Sequence, residues 1–128
     1  MLLYIKRYNR ALIQAHPSWL FVFGDNLERK GLGGQAREAR GEPNSVGIIT
    51  KRFPSMDEDS MLVDADYPRW IDASAKDIDR LESAHRINQT IIWPLDGIGT
   101  GLAGSLENRA PAIWQSIENL RIRLENLP

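Results

Sequence analysis

The segment Asp96-Gly97-Ile98-Gly99-Thr100-Gly101-Leu102-Ala103-Gly104 has the residue types of a site that grips an anion with bare main chain. Four glycines fall within eight residues, at 97, 99, 101 and 104. Glycine permits φ > 0 and lets a ligand approach with no Cβ in the way. A β-branched and aromatic run, Thr90-Ile91-Ile92-Trp93, precedes the segment, and Pro94 is expected to end strand pairing there. A helical pattern follows. A strand, a glycine loop and a helix start make a ready anion site, most often for phosphate. A plain strand-to-helix turn is the alternative. Although Gly99, Gly101 and Gly104 fit G-x-G-x-x-G, a dinucleotide fingerprint opens a βαβ unit, and only one helix remains here before Pro128. No Gly-Lys-Ser/Thr of a Walker loop occurs.

A second candidate site begins at Gly24-Asp25-Asn26-Leu27 and continues through Gly31-Leu32-Gly33-Gly34-Gln35-Ala36. It follows Trp19-Leu20-Phe21-Val22-Phe23, a continuously apolar run of the kind found in strands buried on both faces. Asp25 has the chemistry of a general base, or of an Asx-turn residue. Asn26 could hold hydroxyls, and Lys51, at the exit of a third strand, could stabilise developing negative charge or act as a desolvated nucleophile. Ligands of open α/β sheets bind beyond the carboxyl ends of strands, so the two glycine loops are expected to share one crevice.

Further elements must position these residues. Residues 2–6 and 46–49 read as strands, and residues 9–16 as a short helix stopped by Pro17. Residues 34–40 read as a helix start. Asp66 is placed to cap a helix reaching Arg86 with Ile71, Ala75, Ile78, Leu81 and His85 on its apolar face. Leu106, Ala110, Ile113, Ile117, Leu120, Leu124 and Leu127 step by three or four along a last helix, capped by Ser105 or Asn108. Pro111 favours a regular start near Asn108, and Trp114 is expected to pack. Residues 56–66 hold five carboxylates without an EF-hand spacing and read as a mobile surface loop, so no metal is expected. His16 and His85 read as boundary or surface histidines, and Lys6, Arg7 and Arg10 as a small basic cluster.

The chain has 128 residues, 42% hydrophobic, which suits one domain spanning 1–128 with a real core. A net charge of −1 argues against a dominant nucleic-acid surface but allows a local basic pocket. Without cysteine there are no disulfides, thiolate metal sites or cysteine nucleophile. No apolar run reaches the roughly 18 residues of a membrane span, and no signal-peptide core is present, so a cytoplasmic protein without membrane partners is expected. Alternating strands and helices predict an α/β fold with helices on both faces of the sheet.

Asn26-Leu27 followed by Gly33-Gly34-Gln35-Ala36 resembles the loop of macro domains in which asparagine precedes a glycine cluster and a helix start. Thr100-Gly101-Leu102-Ala103-Gly104 after Trp93-Pro94 resembles their second loop. The resemblance covers residues 21–120 and extends to small macro-like proteins, many from phages and bacteria, that carry Phe-Gly-Asp-Asn-Leu and Asp-Gly-Ile-Gly-Thr-Gly. It implies a three-layer α/β/α fold with a mixed central sheet. It implies binding of ADP-ribose or a related NAD-derived nucleotide at the strand exits, with hydrolysis of ADP-ribosyl linkages on protein or nucleic acid as an enzymatic extension and no cofactor. Residue by residue, Asn26 would lie near the distal ribose. Gly24, Gly33, Gly34 and Gln35 would line the wall beside it. Asp96, Gly97, Ile98, Gly99, Thr100, Gly101, Leu102 and Ala103 would surround the diphosphate. Asp25 and Lys51 would join Asn26 in any chemistry. This chain has Ala103 where many members have an aromatic residue, and it lacks their aspartate after an early strand. A binding module without chemistry and a protein-interaction domain are the other classes consistent with these residues.

Overall fold

The computed structural model describes residues 1–100 and 106–128. Its strands are β1 (Leu2–Ile5), β2 (Leu20–Asn26), β3 (Ser45–Lys51) and β4 (Ile91–Pro94). The helices are α1 (Arg10–Ala15), α2 (Ala36–Ala39), α3 (Tyr67–Arg86), α4 (Leu106–Arg109) and α5 (Pro111–Glu125). The fold is α/β. The four strands form one sheet in the order β1-β4-β2-β3, and every strand pair is parallel. The mixed sheet expected from the resemblance is therefore corrected: among the described residues the only antiparallel pairing is an isolated bridge between Lys51 and Met61.

Side chains of the central strands alternate between two apolar clusters, as the period of two requires. Leu20, Val22, Ile48, Ile91 and Trp93 join Trp70 and Leu81 of α3 and Ile113, Ile117, Leu120 and Leu124 of α5. Phe21, Phe23 and Ile92 join Tyr8, Ile13 of α1, and Ala36 and Ala39 of α2. The chain thus leaves β1 and β2 toward the second cluster, and β3 and β4 toward the first. Neighbouring strands β4 and β2 send their connections in opposite directions, which opens a crevice at their carboxyl ends.

Three local expectations are corrected. The buried stripe of α3 is Trp70, Ser74, Leu81 and Ala84; of the expected face Leu81 is buried and Ile78 packs on the core, while Ile71 is 45% exposed. Trp70 sets this phase because burying its large ring outweighs burying Ile71, and its Nε1–H finds a partner in the Ile49 carbonyl at 2.9 Å. Asp66 stands at the N-cap position of α3 as expected, but its side chain makes no capping bond; its carboxylate accepts from the Val63 N–H (2.8 Å) and from Arg52 (3.0 Å). The 56–66 stretch is not a plain surface loop. It carries two 3-10 turns, Glu58–Ser60 and Asp64–Asp66, and buries Ser60, Met61 and Leu62.

At the C-terminal end the expected apolar face is present, with Ile113, Ile117, Leu120 and Leu124 buried and Trp114 packed against them. The helix is nevertheless broken. Pro111 takes the first turn of α5, after Ala110 leaves helical geometry, so the regular helix starts there rather than near Asn108. Ser105 lies outside the described residues.

Candidate functional site

β2 does not stop at Phe23. It runs through Gly24, Asp25 and Asn26, with a register shift against β3 between the last two. Asp25 and Asn26 are therefore strand residues, each 6% exposed, and not loop residues. The carboxylate of Asp25 lies over Gly47 of β3, where an added Cβ would come within 2.6 Å of Oδ2. Arg40 donates to both its oxygens, at 2.6 and 3.3 Å, and Arg29 to Oδ2 at 3.3 Å. The Asn26 N–H adds a fourth contact at 2.8 Å. A carboxylate so occupied is an anchor for two guanidinium groups.

The same arginines hold the loop after β2. Arg40 Nε donates to the Gly31 carbonyl (2.8 Å) and Nη2 to the Lys30 carbonyl (3.1 Å). Asn26 Nδ2 donates to the Lys30 carbonyl at 2.7 Å, while its Oδ1 accepts from the Glu28 N–H at 3.0 Å. Its amide is consumed in shaping the loop, which leaves little for a sugar hydroxyl. Arg29 takes φ +57° at the apex, a conformation that L side chains rarely adopt. Gln35 clasps the main chain of Tyr8, accepting from its N–H and donating to its carbonyl. Gln35 thereby fastens the end of β1 to the start of α2. Buried Tyr8 completes the junction by donating its hydroxyl to the Val22 carbonyl, and burial pushes that phenol well above its ordinary range.

After β4, the chain turns through Gly97 (φ +90°) and Gly99 (φ +79°), both conformations that require glycine. The turn is closed by Gly97 N–H to the Pro94 carbonyl (2.9 Å) and by Thr100 Oγ1 to the Asp96 carbonyl (2.7 Å). Pairing extends one residue past its expected end, since Pro94 is in register with Ile5 and the Leu95 N–H donates to the Ile5 carbonyl at 3.0 Å. Ile98 points its side chain into the core, so this residue has only main chain to offer a ligand. The expected contacts at Gly101, Leu102 and Ala103, with the fourth loop glycine Gly104, lie outside the described residues.

Both glycine segments open onto one cleft of about 1140 Å³. Gly24, Asp25, Asn26, Gly33, Gly34, Gln35, Lys51, Asp96, Gly97, Ile98, Gly99 and Thr100 all line it, at the carboxyl ends of the strands. Among the described residues, the N–H groups of Gly33, Gly34, Ile98, Gly99 and Thr100 have no intramolecular acceptor. Lys51 Nζ reaches the Ser55 carbonyl at 3.3 Å and Met56 Sδ at 3.5 Å, and has no carboxylate partner among the described residues. The sequence reading missed Thr50, Lys30, Arg37 and Arg109 as lining residues. Thr50, beside Lys51 at the exit of the third strand, and Lys6 and Arg7, in the basic cluster, carried a sequence signal; Lys30, Arg37 and Arg109 did not. Across the rim, Arg109 grips Glu58 at 2.6 and 3.1 Å and holds that exposed carboxyl below its ordinary range.

Residues 3–120 match a family model described as "Family of unknown function (DUF7831)". The chain belongs to this family. No curated protein and no solved structure matches it. Among the described residues of this DUF7831 member, no cluster of three metal-ligating side chains occurs, and no helix is long and apolar enough to cross a membrane.

Proposed function

We propose that the cleft binds an ADP-ribose-type nucleotide, with the diphosphate held by main-chain N–H groups of the 96–100 loop and the sugar side against Gly33 and Gly34. One observation carries this reading: two glycine segments more than sixty residues apart in sequence line the same cleft beyond the ends of parallel strands. A neutral amide cradle suits a diphosphate because its dipoles are preorganised and need no counter-ion. Lys51 adds a positive charge to the lining. The three-layer macro-like arrangement belongs to the same proposal. Its support is the resemblance of the loops and the two apolar clusters on alternating strand positions.

The ion pairs of Asp25 and the loop contacts of the Asn26 amide favour capture over hydrolysis. Thermal shift with ADP-ribose, NAD and AMP tests the reading. ADP-ribose at a hundred times its Kd should stabilise the fold by about 2.7 kcal/mol. No shift with any of the three would overturn it. Release of ADP-ribose from modified protein or DNA would show that the cleft also hydrolyses, with Asp25 in a role its ion pairs do not suggest.

A further inference from the structure

The charges around the cleft are lopsided. Seven cationic side chains line it against three carboxylates, although the chain as a whole carries a net charge of −1. Three of the cations have partners that explain them: Arg40 serves Asp25, Arg109 serves Glu58, and Lys51 contacts the 55–56 main chain and sulfur. The other four are Lys6 and Arg7, at the exit of β1, and Lys30 and Arg37, on either side of the glycine segment 31–34. All four are exposed, and among the described residues none of their cationic groups has a hydrogen-bond or ion-pair partner. The clasp of Gln35 on the Tyr8 main chain brings Arg7 and Arg37 to the same junction.

Solvated lysines and arginines are ordinary on a surface. Four of them around one opening, on two loops tied together by a side-chain amide, concentrate positive potential where a ligand enters. A diphosphate seated on the 96–100 loop carries about two negative charges, which the neutral amides hold without cancelling, so Lys51 and four further cations at the opening exceed what it needs. We infer that the ligand carries a further phosphoryl group outside its diphosphate, and that Arg7 and Arg37, with Lys6 and Lys30 around them, engage it at the rim. The inference rests on the nucleotide reading above. Two sources supply the same chemistry: a phosphate on the ribose of a small nucleotide, or the phosphodiester of a strand to which the nucleotide is attached.

Calorimetry on the whole chain at low salt, with ADP-ribose, ADP-ribose 2′-phosphate and a single-stranded oligonucleotide of about ten nucleotides bearing a terminal ADP-ribose, distinguishes them. At least one phosphorylated probe should bind about tenfold tighter than ADP-ribose, the increment of one charge-assisted hydrogen bond. A gain confined to the 2′-phosphate identifies a small nucleotide, and a gain confined to the oligonucleotide identifies a strand. The double variant Arg7→Gln/Arg37→Gln should bring the phosphorylated probe down to the affinity the same variant shows for ADP-ribose, and keep the wild-type Tm because neither guanidinium has a partner among the described residues. Equal affinity for all three probes overturns the inference while leaving the nucleotide reading intact. A gain that survives the double variant also overturns it. Binding of none of the probes overturns both.

Discussion

Asp25 sits where two guanidinium groups converge, and the absence of a side chain at Gly47 is what gives it room. The carboxylate is buried, yet Arg40, Arg29 and the Asn26 N–H satisfy it. Gly47→Ala should drive a methyl into Oδ2 and cost about 1–3 kcal/mol, the usual penalty of overpacking, read as a lower midpoint in urea. Asp77 extends the network, pairing with Arg29 at 2.5 Å. Burial raises the Asp77 carboxyl above its ordinary value of 3.8, outweighing the opposing effect of Arg29. A raised carboxyl binds protons more readily in the folded than in the unfolded state. Its contribution is therefore fully present below 3.8 and is lost as pH rises through the raised value. Urea unfolding of wild type and Asp77→Asn across the acid range should show wild type losing stability relative to the variant as pH climbs through that window. Parallel curves would mean that the burial of Asp77 is compensated.

Among the elements, β3 has one row of main-chain groups without a strand partner, since with β1 it forms an edge of the sheet. Edge carbonyls are templates for pairing with another chain. Here they are capped by arginines. Arg80 of α3 donates to the Ser45 carbonyl at 2.8 Å and to the Pro43 carbonyl at 2.5 Å, and Arg29 donates to the Gly47 carbonyl at 3.2 Å. Arg80→Ala should uncover the edge and produce concentration-dependent self-association in sedimentation velocity; a variant that stays at the wild-type sedimentation coefficient would show that the cap is dispensable. The charged face of α3 thus acts on the sheet as well as on solvent. Phase is what the sequence reading of α3 got wrong. Ile71 and Ala75 have the right period, but Trp70 carries more apolar surface and a donor that reaches β3. Only the packed partner distinguishes two stripes offset by one residue.

Across the whole molecule, the crevice follows from strand order. β4 lies between β1 and β2, and its connection leaves toward the opposite apolar cluster from theirs. The two glycine segments at its mouth should respond differently to substitution. Gly33 has open space around it, so Gly33→Val should keep the wild-type Tm while abolishing any ADP-ribose-dependent shift. Gly99 has φ +79° and a Cβ would meet Leu106 at 3.0 Å, so Gly99→Val should lower stability by about 1–3 kcal/mol before ligand is added. If Gly33→Val retains the ligand shift, main-chain approach at that wall is not what binds.

The residue string alone determined the four strands to within a few positions, the apolar face of the last helix and the existence of two glycine loops at strand exits, because period and glycine density are local properties. It could not place Asp25 and Asn26. Their types suit a reactive loop, and only the packed sheet shows them inside a strand, with both functional groups already engaged by Arg29, Arg40 and the Lys30 main chain. Nor could spacing join Asp25 to Arg40, or Tyr8 to Gln35, across 15 and 27 residues. Those pairings exist because parallel strands bring the ends of distant segments to one end of the sheet. The packing at that end decides which side chains hold the cleft in shape and which remain free to meet a ligand.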